Sequence, residues 1–107
     1  MINRLEDEMN DLGERKMYVI KRDGETAAFD RSKIKAAVEK AMKYGSGIYD
    51  EDIAAAVARD CEKHFSEKEE NPTIYMIEGL VYDRLMHYNH METARAYEGY
   101  RAVQQFK

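Results

Sequence analysis

The 107-residue sequence predicts an α+β fold that is mostly α: a four-helix cluster capped by a small β-sheet, the sheet being an N-terminal hairpin. Two observations predict it. Lys16–Lys21 alternates, and an Asp23-Gly24 dipeptide then allows Glu25–Phe29 to pair back, the pattern of a tight antiparallel hairpin. After Asp30 the apolar period changes from two to between three and four, and it is interrupted three times by capping and turn residues.

In the first strand Met17, Val19 and Lys21 fall on one face, and Tyr18, Ile20 and Arg22 on the other. Glu25–Phe29 pairs back as the second strand. Asp30 is a good N-cap for a first helix in which Ile34, Val38, Ala41 and Met42 share a face, with Gly45 as the expected stop. Asp50 caps a second helix whose Ile53, Val57, Cys61 and Phe65 recur every fourth residue as an apolar stripe. A charged connection, Ser66–Asn71, leads to Pro72, the one proline, which pushes the preceding residue out of helical geometry. Thr73 caps a third helix with Ile74, Ile77, Leu80, Val81 and Leu85 inward. Tyr88-Asn89-His90 breaks the pattern before a fourth helix carrying Ala94, Ala96, Tyr97, Tyr100 and Val103. A two-stranded hairpin is marginal alone, so it must pack on the helices.

The length allows one domain, read as residues 17–107, preceded by a weakly helical N-terminal extension over residues 1–16. No apolar run reaches the roughly 18 residues of a membrane span. The single cysteine, Cys61, can form neither an internal disulfide nor a cysteine-rich zinc site, and a reducing cytoplasm is expected.

The net charge of −4 argues against a general nucleic-acid binder. It is unevenly spread, however. Residues 1–14 carry −4, residues 15–40 carry +4, residues 41–72 carry −4 and residues 73–107 balance. One short basic stretch in an acidic protein suits a small anionic ligand better than a long polyanion.

Catalytic constellations are missing. The three histidines show no metal-ligand spacing, Cys61 sits inside an apolar stripe, and there is no phosphate-binding glycine loop or nucleophile motif. No metal site is read from the sequence, and a regulatory module rather than an enzyme is expected. Lys21-Arg22-Asp23-Gly24 is the sharpest feature. Two cations beside a glycine turn combine side-chain charge with backbone amides, a workable grip for phosphate. Lys33 lies in the first turn of the first helix, where the dipole disfavours a cation unless an anion is near. Arg101 on the last helix could close the same pocket. Taken singly, each is an ordinary surface charge. The alternative reading is a helical protein-interaction or DNA-binding module without nucleotide control.

Val19-x-Lys21-Arg22-Asp23-Gly24, followed by Phe29-Asp30-x-x-Lys33-Ile34, resembles the opening of the ATP-cone domain. The far end is similar too: Thr73 opening a helix after a proline, then Ala94-x-Ala96-Tyr97-x-x-Tyr100-Arg101. The likeness runs from about Met17 to Arg101. ATP-cones occur at the N-terminus of many ribonucleotide reductase catalytic subunits and in the repressor of reductase genes. The resemblance implies allosteric binding of ATP or dATP as opposing signals, with Mg²⁺ possible beside the triphosphate. It implies a reductase subunit, or self-association, as the partner that responds. By similarity Val19 and Ile20 frame the base, and Lys21, Arg22, Lys33 and Arg101 meet the phosphates. Thr73 contributes a hydroxyl, and Tyr97 faces the nucleotide. Where some members carry an acidic residue in the second strand, this chain has Ala27-Ala28. With neither a cysteine-rich zinc ribbon nor a reductase barrel in the sequence, an excised regulatory domain or a free-standing cone is expected.

Overall fold

A computed structural model describes residues 17–105, and the side chains of residues 17–98. The expected N-terminal extension, Phe106 and the side chain of Arg101 lie outside the described residues. The hairpin forms as the alternation predicts. Strands β1 (Tyr18–Ile20) and β2 (Thr26–Ala28) pair antiparallel, with Val19 opposite Ala27. In the turn, the Lys21 N–H donates to the Glu25 carbonyl at 2.7 Å and the Gly24 N–H to the Lys21 carbonyl at 2.9 Å. The other edge of β1 is covered by the segment around Pro72. Tyr18 N–H donates to Asn71 Oδ1 at 3.0 Å, and Ile20 N–H to the Pro72 carbonyl at 2.9 Å. Proline fits this edge because it offers an acceptor and needs no donor partner of its own.

Helix α1 spans Arg31–Ala41. Its cap is Asp30, whose Oδ1 accepts both the N–H and the hydroxyl of Ser32, at 3.0 and 2.6 Å. The expected stop at Gly45 is displaced. The chain passes from α1 into a π-helical turn, Met42–Ser46, and ends at Gly47, which has the left-handed φ of 77°. Gly45 instead marks the point where this turn meets Ala96 of the last helix, with no room for a side chain between them. Ser46 Oγ and Thr93 Oγ1, hydrogen-bonded at 2.8 Å, hold the two elements together.

Helix α2 (Glu51–Lys68) starts where expected, with Asp50 Oδ1 accepting from Ile53 N–H at 3.2 Å. It runs further into the charged 66–71 segment than expected, because solvated polar residues continue a helix readily, and it stops at Glu69 in a left-handed conformation. Thr73 caps α3 (Ile74–His87) through Oγ1, which accepts from Met76 N–H at 3.1 Å. Helix α4 (Met91–Gln105) follows a tight reversal in which Asn89 takes φ 66°.

The core is the sum of these helical stripes. Val38 and Met42, then Val57, Cys61 and Phe65, then Val81 and Leu85, and finally Ala94 are all buried in one cluster. Each large side chain contributes about 1.5–3 kcal/mol by leaving water. Burial, assisted by the charge of Asp60, pushes the Cys61 thiol up to about 12. A polar clip joins α2 to α3: Asp60 Oδ2 accepts from Arg84 Nε at 3.2 Å and from the Tyr88 hydroxyl at 2.5 Å.

Candidate functional site

Strand alternation decides what the hairpin presents to the helices. Val19 and Lys21 point to one side of β1, and with Ala27 they close a cavity of about 270 Å³ against α1, α3 and α4. Its walls are apolar, including Ile34 and Ala37 from α1, Ile77 from α3 and Tyr97 from α4. Ala27, opposite Val19 in the hairpin, and its neighbour Ala28 also border that space. Three charged residues border the cavity, and all are exposed: Lys21, Asp30 and Lys33. An apolar slot with a few charged groups at its edge is the usual form of a small-molecule site.

The electrostatics at that edge follow from the capping of α1. Asp30 is held below the usual carboxylate range, first by its two bonds to Ser32 and then by the charge of Lys33. The first turn of α1 carries no acid. The Ser32 and Lys33 N–H groups are taken up by Asp30, so the positive charge at the cavity edge comes from the Lys21 and Lys33 side chains, which suit an anionic group. The first turn of α2, by contrast, supplies Glu51 and Asp52 for its own dipole.

Of the residues singled out in the sequence, the structure brings four to this cavity: Val19, Lys21, Lys33 and Tyr97. Ile20 and Thr73 are next to one another at the edge of β1, joined by a parallel bridge. They stand beside the cavity wall at Ile74 rather than in it. Arg22 is turned away. Its Nη2 donates to Glu78 Oε2 at 2.6 Å, and the guanidinium lies over the Tyr75 ring with 5.4 Å to its centroid. Arg101 belongs to the α4 backbone, one turn beyond Tyr97, and its side chain lies outside the described residues.

Sequence reasoning missed the apolar walls and the partner of Arg22. Ile34 and Ile77 read as core positions, because a cavity wall and a packed core have the same helical period. Glu78 did leave a signal: an acidic residue adjacent to the inward Ile77, three before Val81, on an otherwise apolar face.

Among the described residues, no group of three or more His, Cys, Asp or Glu side chains could hold a metal ion, and no helix is long and apolar enough to cross a membrane. One family model, that of the ATP cone domain, matches residues 17–105, from the start of the hairpin to the end of α4. No curated protein matches the chain.

Proposed function

The chain belongs to the ATP cone domain family, a regulatory rather than catalytic class of nucleotide-binding allosteric module, and from that premise we propose that the cavity beneath the hairpin is its adenine-nucleotide site. The observation that carries the reading is the meeting of an apolar slot with two exposed lysines, Lys21 and Lys33, the second in the first turn of α1. The base would enter between Val19, Ala27 and Ile34, with Ile20 behind Val19 and Tyr97 along the wall. The phosphates would lie toward Lys21 and Lys33, whose ammonium groups would give charge-assisted hydrogen bonds. Arg101, one turn past Tyr97, would add a cation from α4. The Thr73 hydroxyl, already accepting from Met76, keeps its own proton to donate.

The ligand is ATP or dATP. Mg²⁺, if carried by the triphosphate, would be held chiefly by phosphate oxygens, with Asp30 the nearest carboxylate on the cavity wall. The module would act in the cytoplasm on a ribonucleotide reductase, as part of a catalytic subunit or as a separate chain, by changing how subunits associate. The deciding experiment is a titration with ATP and with dATP during which molecular mass is recorded. Saturable binding of either, with a change of mass that differs between them, is the expected result. Absence of binding heat and of thermal stabilisation with both would refute the reading.

A further inference from the structure

Lys21 and Arg22 are neighbours in sequence and part company in space. Lys21 borders the cavity, whereas Arg22 is bonded to Glu78, 56 residues away. The two ends of that bond differ in freedom. The Glu78 side chain is 8% exposed and fixed on α3, and the Arg22 side chain is 34% exposed on a turn. Arginine is therefore the half that can move, since exposed side chains change rotamer in picoseconds to nanoseconds. The bond also joins two walls of the cavity from behind. Arg22 follows Lys21 on the hairpin, and Glu78 follows Ile77 on α3; both predecessors line the cavity. Arg22 is within electrostatic range of Tyr97, a third wall residue, although its hydrogen bond to Glu78 dominates its surroundings.

We propose that the Arg22–Glu78 pair is a latch opened by the terminal phosphate of a bound nucleoside triphosphate, an inference that rests on the nucleotide site proposed above. A terminal phosphate presents more charge and more acceptor oxygens than a carboxylate, and the guanidinium fork fits it in two-point fashion. Lys21 and Lys33 would hold the phosphates nearest the sugar, and only a longer chain would reach far enough to draw Arg22 from Glu78. A monophosphate leaves the latch shut. Departure of the guanidinium breaks an ion pair at a Glu78 side chain that is 8% exposed, which is unfavourable. Helix α3 must readjust around it, and α3 carries Val81 and Leu85 of the core. Phosphate-chain length at the hairpin is in this way converted into a change in the helical cluster.

The test compares ATP, ADP and AMP on the full chain by calorimetry, in wild type, Glu78→Gln, Arg22→Gln and the double variant. Glu78→Gln removes the competing charge, so its ATP affinity should rise relative to AMP by about tenfold, and the double variant should lose that gain. An unchanged ATP-to-AMP ratio, or equal weakening of all three ligands, overturns the latch. If wild type binds none of the three, the nucleotide site itself fails, and the latch with it. Should Glu78→Gln not fold, the wild-type Glu78 carboxyl carbon is followed by NMR. A shift with ATP and none with AMP supports the latch; no shift, or the same shift with both, overturns it.

Discussion

Gly45 in the π-helical turn lies against Ala96 of α4 so closely that a Cβ at position 45 would overlap the Ala96 methyl. The wide turn after α1 exists to make this approach, and it is fastened by Ser46 and Thr93 next door. Gly45→Ala should therefore destabilise the domain by about 1–3 kcal/mol, the usual cost of overpacking. Chemical denaturation checks this, and Gly45→Ala combined with Ala96→Gly should recover part of the loss.

Lys21→Ala and Lys33→Ala each remove one cation from the cavity edge without touching the core, since both side chains are exposed. Nucleotide affinity should fall by about 1.5–3 kcal/mol for each, the range for hydrogen bonds to charged groups. Thermal stability without ligand should hardly move. A loss of stability with no loss of affinity would assign these lysines to structure instead.

Thr73 has a cap to make as well as a place beside the site. Thr73→Ala should cost about 1 kcal/mol of stability through the lost bond to Met76. Thr73→Ser restores the cap oxygen and should restore most of the stability. Measured side by side, the two variants separate the cap from any effect of the methyl group on the neighbouring β1 edge.

Asp30 links stability to acid. Its folded pKa lies below its ordinary value because Ser32 bonds and the Lys33 charge favour the carboxylate. The contribution is thus fully present above the unfolded value, about 3.9, and is lost as pH falls through the lower folded value. Asp30→Asn keeps a good cap, so it should change little at neutral pH and flatten the stability profile below about pH 4. Glu51, lowered chiefly by its bond to Lys35, will still contribute an acid-sensitive part.

Cys61 should resist modification. Its thiol is fully buried and pushed up to about 12, so almost no thiolate exists at about pH 8. A disulfide reagent should react at the rate of unfolding in native buffer and at once in denaturant. Rapid reaction in native buffer would mean that α2 opens locally.

Much of the fold was legible because its signals are local. Asp23-Gly24 marks the hairpin, and Asp30, Asp50 and Thr73 cap the three helices they precede, each through its own side-chain oxygen. The end of the first helix was not legible. Gly45 and Gly47 look alike in sequence, and only the position of Ala96 assigns close approach to one and the left-handed stop to the other. The candidate site was half legible. Val19, Lys21, Lys33 and Tyr97 converge on one cavity, whereas its walls at Ile34, Ala37 and Ile77 carry the same pattern as the core.

By itself, then, the sequence determined the order of elements, the N-caps of the first three helices, the buried stripe of α2 and the motifs of an ATP cone, signals carried by the local pattern of the chain. Tertiary structure alone decided how the Lys21-Arg22 pair is divided. Lys21 is still bonded across the hairpin to Glu25, whereas Arg22 is already in the turn. What each then meets, a cavity for one and a carboxylate 56 residues distant for the other, is set by where α3 packs.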